Sequence, residues 1–530
     1  MKRTLGIVVV VFAVSCSPVL AGRFAEYTAK YKKPPNPIRA VTVAGWIGSE
    51  GTEWCSAGDI LPDGTILVAG TALGPTMNQL CGVPVKVLGS AAGSGPGAQG
   101  QKTADGQPIY PDWKRNDGAG FVAAIAPDAK SCRWAVRLPW RSGNITDLIA
   151  DSSGIYITGK AGDAVSSIGR VQSISAEPEN AQTGSVYVAK LSSDGSRVLW
   201  GVTFADPDRG PKLRLVGDGR VMAEGGWVYV LKPDGTLDKV VQVSRKYKGC
   251  RGVNPVTFQS AFGWDSNTHT GREPWRQPSL RITASPAPDA PSKVYYAWDS
   301  KLVGTDKYRL VSDSSIRLLH YADGKTLYAI GWSDGGNTVF EREPTNLDQA
   351  VKFQGLGFST WGATVGSFCH ILKFDVSGGE PKVIGKTLWA SYLKGKDKPN
   401  SSIVTSIEEA SDQSTMIAGG AAHHVIQTGN HIFSSSDEVA GQYVAVLTGD
   451  AASIRFSSAI DCAGVVNIRH NTTWGLASRK VGERNLALFV SGAIEKRANT
   501  EPPIYASQKN PIQKTYGGGL TDGYLVLLEL

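Results

Sequence analysis

The residues best suited to chemistry lie in one short segment, about residues 264 to 276. Aromatic rings that stack, together with Arg and Asp side chains that make fixed hydrogen bonds, can hold a sugar or a peptide. The segment is therefore a candidate ligand-binding loop. The alternative is that both of its tryptophans cover the edge of a sheet while its charges face water. The candidate binding residues are Trp264, Asp265, His269, Arg272, Trp275 and Arg276.

Other residue patterns give little support for metal binding or nucleophilic catalysis. Asp265, Asn267 and His269 alternate along the chain, which is a weak ligand pattern. His423, His424 and His431 lack HExxH spacing, and neither a CxxC pair nor a GxSxG nucleophile turn occurs. We therefore predict no metal site and no cofactor. Paired carboxylates for glycoside cleavage can come from distant segments, so an enzyme that acts on glycans stays open.

The first 21 residues have the pattern of a secretory signal peptide. Lys2 and Arg3 precede an apolar run from Leu5 to Val14, and cleavage is predicted after Ala21. The run is shorter than the ~20 residues that a membrane-spanning helix needs, and no later stretch comes close. Ala13 to Cys16 resembles a lipobox, which would make Cys16 a lipidation site instead. Both possibilities predict an exported protein of the periplasm, the cell surface or the medium.

Export bears on the cysteines, because an oxidising compartment permits disulfides. Cys55 and Cys81 are the nearest pair in the sequence and form a candidate disulfide. Six cysteines allow 15 pairings, so the remaining connectivity is open. The cysteines that follow the leader are Cys55, Cys81, Cys132, Cys250, Cys369 and Cys462.

Composition favours short strands and tight turns over helices. The chain of 530 residues has 62 Gly and 14 Trp but 4 Met. Its formal net charge is +8, and the basic residues are scattered rather than grouped. A nucleic-acid partner is therefore not predicted.

The strongest pattern is an internal repeat, found in GFVAAIAPDAKSCRW from Gly120, SVYVAKLSSDGSRVLW from Ser185 and QYVAVLTGDAASIRF from Gln442. In each copy an aromatic residue opens one strand and another closes the next strand, with an Asp turn between them. This unit predicts a β-hairpin. The three aromatic pairs are Phe121 with Trp134, Tyr187 with Trp200, and Tyr443 with Phe456.

A second hairpin follows each of the first two copies and ends at Gly159 or Gly225. Two successive hairpins would make one four-stranded antiparallel sheet, the blade of a β-propeller. On this basis the fold class is all-β, a propeller of about seven blades, with units near 120, 185, 227, 293, 367 and 442 and one split between the ends. Six or eight blades, or an open array of β-sandwiches, are the alternatives.

The split blade predicts how the ring closes. The hairpin at 61–70 lacks a preceding partner, and a single strand, DGYLVLLEL, ends the chain at 522–530. We expect the C-terminal strand to pair with this N-terminal blade, which would leave no exposed sheet edge.

The units near 120–159, 185–225 and 367–420 resemble the bacterial SBBP-type seven-bladed β-propeller repeat family. The resemblance lies in Val188–Leu191, Leu199–Trp200, Leu388–Tyr392 and Ile155–Gly159. It covers about half of the mature chain and implies a fold without a catalytic residue set.

The predicted organisation is a signal peptide at 1–21, an N-terminal extension at 22–42 and a propeller at 43–530. Insertions are expected at about 74–118, 245–291 and 495–521. The expected function is an exported binding or scaffold protein of the cell envelope, with a polysaccharide or an envelope protein as partner. The alternatives are a lyase or hydrolase acting on glycans at the channel mouth, and a self-assembling surface protein.

Overall fold

The computed structural model describes the greater part of the chain from residue 31 onward. The ranges are 31–73, 77–88, 118–138, 144–160, 171–174, 184–206, 211–242, 252–258, 260–266, 279–285, 293–297, 314–334, 342–343, 346–350, 367–378, 381–392, 399–433, 441–460, 474–493, 508–518 and 521–530. The predicted leader with Cys16 lies outside these residues.

Six sheets contain four antiparallel strands each, and we number these blades along the chain. Blade 1 is β2 (Thr52–Ile60), β3 (Ile66–Leu73), β6 (Ala119–Ile125) and β7 (Cys132–Arg137). Blade 2 is β8 (Asp147–Asp151), β9 (Gly154–Lys160), β11 (Gly184–Leu191) and β12 (Val198–Asp206). Blade 3 is β13 (Lys212–Val216), β14 (Arg220–Glu224), β15 (Trp227–Leu231) and β16 (Leu237–Gln242).

Blades 4 and 5 repeat this order of strands. Blade 4 is β20 (Ser314–Tyr321), β21 (Thr326–Asp334), β24 (Ser367–Asp375) and β25 (Lys382–Trp389). Blade 5 is β28 (Ser402–Glu409), β29 (Thr415–Ala421), β30 (Gly441–Leu447) and β31 (Ile454–Ala459).

Blade 6 joins the two ends of the described chain. It is β32 (Gly475–Val481), β33 (Arg484–Ala493), β34 (Asp522–Glu529) and β1 (Ala40–Ile47). The pairing of β1 with β34 is antiparallel and runs from Ala40 opposite Glu529 to Ile47 opposite Gly523. The C-terminal strand therefore does pair with an N-terminal strand, but not with the hairpin at 61–70 as predicted.

The remaining elements lie outside the four-stranded cores. They are β4 (Gln79–Leu80), β5 (Val83–Val87), β10 (Val171–Ile174), β17 (Ser260–Ser266), β18 (Ser279–Ser285), β19 (Lys293–Ala297), β22 (Arg342–Glu343), β23 (Asn346–Ala350), β26 (Ser391–Tyr392), β27 (Pro399–Asn400) and a 3-10 turn at Gly217–Gly219. No helix in the described ranges is long and apolar enough to cross a membrane.

The blades form a ring with their first strands innermost. β2 contacts β8 of blade 2 and β32 of blade 6, β8 contacts β13, and β28 contacts both β20 and β32. Blades 3 and 4 meet where the Arg214 Nη1 group donates to the Ala322 carbonyl at 3.0 Å. A closed ring of radial sheets is a β-propeller.

About seven blades were expected, with six or eight as alternatives. The described residues form six four-stranded blades, so seven is not supported. The segment read as a loop insertion at 245–291 includes β17 and β18, which with β19 form a three-stranded sheet. Its weak alternation did not reveal these strands. The unit counted near residue 293 contains β19, the third strand of that sheet.

The apolar core is divided among the spaces between neighbouring blades. One cluster lies between blades 6 and 1 and includes Val43, Val68, Phe121, Leu488 and Leu527. Further clusters lie between blades 1 and 2, between 2 and 3, between 4 and 5, and between 5 and 6. Each blade is therefore stabilised mainly by its neighbours, as expected of a repeat fold.

The repeated aromatic residues are explained by contacts between blades. Trp134 on the outer strand of blade 1 packs over Gly195 in a turn of blade 2, and Trp200 of blade 2 packs over Gly235 in a turn of blade 3. The Trp200 Nε1–H group also donates to the Pro233 carbonyl at 3.0 Å. The opening aromatics Phe121, Tyr187 and Tyr443 are fully buried.

The predicted hairpins are confirmed, but their grouping into blades was shifted by one hairpin. The hairpin at 120–134 pairs through β6 with β3 of the preceding hairpin, not with the hairpin that ends at Gly159. The latter begins blade 2, where β9 pairs with β11. Turn and strand signals define each hairpin, whereas the partner across a long connection is chosen by tertiary packing.

Candidate functional site

The two faces of the propeller differ in the length of the connections that they carry. In a blade with strands in sequential order, the first and third turns lie at one end of the sheet and the second lies at the other, together with the link to the next blade. On the first face the described turns are short, at 61–65, 126–131, 152–153, 192–197, 217–219, 232–236 and 448–453. We call it the turn face.

Aspartates organise the turn face. Asp194 accepts the Ser196 N–H at 3.0 Å, and Asp234 and Asp323 accept backbone N–H groups two residues ahead in the same way. Local acceptors of this kind define Asx turns. The Asp turn predicted for the repeat is confirmed at Asp194.

The opposite face carries the long connections, and we call it the loop face. In blade 1 the connection spans 74–118, in blade 4 it spans 335–366, and in blade 6 it spans 494–521. Part of the first connection folds back: β5 pairs in parallel with β7, the outer strand of blade 1. β10 pairs in parallel with β12 of blade 2 in the same manner.

A cavity of about 560 Å³ opens on the loop face where blades 6 and 1 meet. Three connections supply its wall: the link from β1 to β2, the β4–β5 hairpin and the segment before β34. The lining consists of Gly48, Ser49, Glu50, Asn78, Gln79, Cys81, Gly82, Ile512, Gln513, Thr515 and Gly517.

Hydrogen bonds hold two parts of this wall together. The Gly48 N–H donates to Gln513 Oε1 at 3.1 Å, and Gln513 Nε2 donates to the Thr515 carbonyl at 2.7 Å. The Cys81 N–H donates to the Gly48 carbonyl at 3.3 Å. The three connections are thus tied through Gly48.

A buried carboxyl group, that of Glu53, supports the wall from behind. Its side chain accepts the hydroxyl of Ser49 and also the Ser49 N–H, the latter at 3.2 Å. Burial raises the pKa of Glu53 from 4.5 to about 7, against the lowering effect of these hydrogen bonds. Glu53 contacts the cavity through Ser49 and is not itself among the lining residues.

Asp522 provides a second support at the start of β34. Its Oδ2 accepts the Gly517 N–H at 2.6 Å, which fixes the far side of the wall. A Cβ atom at Gly48 would lie 2.3 Å from Asp522 Cγ, so glycine is required at position 48. Both buried carboxylates therefore shape the cavity without entering it.

Three cysteines pack on the apolar cluster beneath the cavity. Cys55 and Cys132 belong to this cluster, and Cys81 packs against it from the β4–β5 hairpin. All carry free thiols in the structure. The predicted disulfide between Cys55 and Cys81 stays a prediction, with both thiols beside the same wall.

Acid–base pairs connect the innermost strands of neighbouring blades. Asp59 accepts the Ala150 N–H of blade 2 at 2.8 Å and lies 3.9 Å from Arg479 of blade 6. Asp147 of blade 2 repeats the arrangement, accepting the Leu213 N–H of blade 3 at 2.7 Å. These carboxylates satisfy N–H groups on the innermost strands, so their role is structural.

Two further pairs join blades 4 and 5. His320 Nε2 lies 3.2 Å from Glu408 Oε1, and Lys373 Nζ lies 2.7 Å from Glu409 Oε2. Among the described ranges, no three His, Cys, Asp or Glu side chains are arranged to hold a metal ion.

The binding residues predicted from the sequence are placed only in part. Trp264 and Asp265 lie on β17, paired with Arg281 and Leu280 of β18. His269, Arg272, Trp275 and Arg276 lie outside the described residues. The cavity at the junction of blades 6 and 1 was missed, because Gly48, Gln79 and Gln513 are far apart in the sequence and share no motif.

Comparison with known proteins gives no family. No protein-family model matches the chain, and no curated protein sequence does. The resemblance to SBBP repeats therefore stays a prediction.

Solved structures with similar folds are remote. The chain is 12% identical to BamB from Moraxella catarrhalis, with a TM-score of 0.28 over 81% of this chain and 96% of that one. It is 8% identical to the Dos1 propeller, with a TM-score of 0.36 over 92% and 96%. A putative 6-phosphogluconolactonase from Bacteroides uniformis ATCC 8492 is 12% identical, with a TM-score of 0.32 over 78% and 96%. At these scores none of the similarities carries an argument about function.

Proposed function

We propose that the protein is an exported binding protein of the cell envelope that recognises a polysaccharide through its loop face. The observation that carries the proposal is the difference between the two faces. The turn face consists of short, locally hydrogen-bonded aspartate turns, whereas the loop face carries the long connections and the cavity. Binding residues concentrate on long connections that a rigid scaffold positions.

The carboxylates favour binding over catalysis. A glycan hydrolase or lyase needs an acid and a base that reach the substrate. Glu50 lines the cavity, but the other acids described are held elsewhere: Glu53 lies behind Ser49, and Asp59 and Asp147 accept backbone N–H groups of neighbouring blades. The described lining therefore offers one carboxylate and no partner acid or base of the kind that glycan cleavage uses. An envelope protein as partner, glycan cleavage and self-assembly are the alternatives that an experiment has to separate from polysaccharide binding.

Blocking one face at a time tests the proposal. One biotin-acceptor peptide is inserted after Gly100, within the connection from β3 to β6, both ends of which lie on the loop face; the other is inserted after Gly482, in a turn of the turn face. Bound streptavidin should then block the face that carries the peptide. Each protein, with and without streptavidin, is applied to an array of bacterial polysaccharides. We expect streptavidin to abolish binding by the first protein and to leave that of the second within twofold of its unblocked value.

Loss of binding on blocking either face equally, or a chain that binds no polysaccharide, would contradict the proposal. Mass spectrometry of the same polysaccharides after incubation detects cleavage, and cleavage products would favour the enzyme. Light scattering over a concentration series detects self-assembly. Trp264→Ala and Trp275→Ala test the segment at 264–276, and binding lost in these variants would place the ligand there.

A further inference from the structure

The cavity between blades 6 and 1 has the size and lining of a ligand site. Its volume of about 560 Å³ falls within the range of roughly 300–1,000 Å³ that holds a drug-sized molecule. A short oligosaccharide is of that size. The cavity is also the place where the two ends of the described ring meet, so three independent connections can contact one ligand.

The polar groups of the lining both donate and accept hydrogen bonds. Asn78, Gln79 and Gln513 supply carboxamides, and Ser49 and Thr515 supply hydroxyls. Sugar hydroxyls also donate and accept, so the two surfaces are complementary. Gln513 is held by its bonds to Gly48 and Thr515, which keeps this part of the wall in one orientation.

The charges at the cavity disfavour an anionic ligand. Glu50 is the one formally charged residue in the described lining, and the carboxyl group of Asp522 lies directly behind the lining. Lys509 and Lys514 are exposed on the neighbouring segment but are not part of the lining. A uronate or a phosphate would therefore meet negative potential without a cationic partner in the wall.

We propose that this cavity binds an uncharged, hydroxyl-rich saccharide, with Gln79 and Thr515 as direct contacts. This inference rests on the proposed binding function and gives its ligand class. Glu53 is a positioning residue in this site, because it acts on the ligand only by holding Ser49.

Calorimetry with the full mature chain tests the inference. The probes are neutral trisaccharides (maltotriose, cellotriose and tri-N-acetylchitotriose) and a trigalacturonate of the same length. We expect at least one neutral probe to bind at least tenfold more tightly than the uronate. Gln79→Ala and Thr515→Val should each weaken that binding at least fivefold. Gln508→Ala, an exposed glutamine outside the lining, is the matched control and should leave it unchanged.

A change of charge gives a second, independent measurement. Gln79→Lys should reduce the preference for the neutral probe over the uronate at least threefold, because it places a cation in the wall. Circular dichroism of each variant confirms that it is folded. A thermal midpoint within 2 °C of wild type is required.

Two results would overturn the inference. The first is an affinity for trigalacturonate equal to or higher than that for every neutral probe. The second is a loss of affinity for the neutral probe in Gln508→Ala that is as large as the loss in Gln79→Ala. If no trisaccharide binds while polysaccharide binding still depends on the loop face, the ligand class assigned to the cavity is wrong and the proposed function stands. If no trisaccharide binds and blocking the loop face does not reduce polysaccharide binding, both the assigned ligand class and the proposed function are wrong.

Discussion

The carboxylates of this propeller occupy two environments, and their pKa values move in opposite directions. On the turn face, hydrogen bonds from Ser192 and Ser196 lower the pKa of Asp194 to about 2. Inside the ring, burial raises the pKa of Asp59 to about 6 and that of Glu53 to about 7. Solvated aspartates therefore stay ionised in turns, whereas the buried acids exchange a proton near neutral pH.

The raised pKa of Glu53 predicts a pH-dependent stability. Between its unfolded value of 4.5 and about 7, the native state holds a proton that the unfolded chain has released. Stability therefore falls as pH rises through this window, by at most about 3 kcal/mol from this group, since one pKa unit corresponds to about 1.4 kcal/mol. Glu53→Gln lacks this group and should not lose that stability. We therefore expect the free energy of unfolding of Glu53→Gln, measured relative to wild type, to be larger at pH 8 than at pH 5.

Thermal unfolding of both proteins from pH 4.5 to 8.5 measures the effect. Asp59 has a raised pKa as well, so the slope should become shallower in Glu53→Gln rather than disappear. Glu50→Gln, a change of the same chemistry at an exposed position, serves as control and should keep the wild-type slope. Identical slopes in wild type and Glu53→Gln would contradict the raised pKa.

Residue-level features differ in how far the sequence reveals them. The turn aspartates were predictable, because an Asx turn is a local structure and Asp194–Gly195 is a strong local signal. The roles of Glu53 and Asp522 beside the cavity could not be predicted. Glu53 contacts Ser49 four residues away, but Asp522 reaches Gly48 only after the ring has closed. No pattern within either segment indicates that contact.

At the scale of elements, one contact recurs between successive blades. The outer-strand tryptophan of a blade lies over a glycine in the third turn of the next blade, as Trp134 does over Gly195 and Trp200 over Gly235. Both glycines have positive φ, at 68° and 85°. The tryptophan and the Asp-Gly turn of the repeat therefore belong to one contact, although they come from different copies.

Gly195→Ala tests this contact. A Cβ atom would lie 2.5 Å from Trp134 Cη2 and would also be strained by the positive φ. The left-handed backbone costs about 1–2 kcal/mol, and crowding of the ring adds about 1–3 kcal/mol. Gly482→Ala is the matched control, because Gly482 has a φ of 58° and open space around its Cβ position.

Chemical denaturation of four variants separates the two effects. Gly482→Ala should lower the free energy of unfolding only by the cost of the left-handed backbone. Gly195→Ala should lower it by that cost and by the cost of crowding the tryptophan ring. In a Trp134→Ala background the cost of Gly195→Ala should fall to that of the control, because neighbouring residues are coupled in a double-mutant cycle. Equal costs of Gly195→Ala in the two backgrounds would show that the tryptophan does not pack on this turn.

Hairpins could be predicted at this scale, whereas blades could not. Strands such as Gly184–Leu191 and the Asp-Gly turns that follow them can be recognised within a short stretch of sequence. The strand Ala119–Ile125 could pair with Ile66–Leu73 or with the hairpin that ends at Gly159. It pairs with Ile66–Leu73, and this choice depends on tertiary packing across the connection at 74–118. The strands β17 and β18 lack the repeat signals, which is why the segment at 245–291 was interpreted as an insertion.

At the scale of the molecule, the fold depends on how the ring is closed. β1 supplies the outermost strand of blade 6, and the segment just before it reaches further back around the ring. Tyr31 is buried in the cluster between blades 4 and 5, and Arg455 Nε donates to the Asn36 carbonyl at 3.1 Å. Residues 31 to 47 therefore contact three successive blades. The sequence predicted an extension at 22–42 that precedes the propeller, and the described part of that extension packs on the blades.

Closure by β1 predicts that one substitution in this strand weakens the whole ring. Val43 is 2% exposed and packs in the cluster between blades 6 and 1. Val43→Asp would bury an unpaired carboxylate there, at a cost of about 3–5 kcal/mol. Ala40→Asp places the same charge at an exposed position of the same strand and is the control.

Release of β1 should also change the oligomeric state, because it uncovers the edge of β34 along Gly523 to Glu529. An exposed strand edge is a template for pairing with another chain. We expect Val43→Asp to unfold at a lower denaturant concentration and to form higher oligomers in light scattering, while Ala40→Asp stays like wild type. If Val43→Asp unfolded with the wild-type midpoint and mass, the pairing of β1 with β34 would not be what closes the ring.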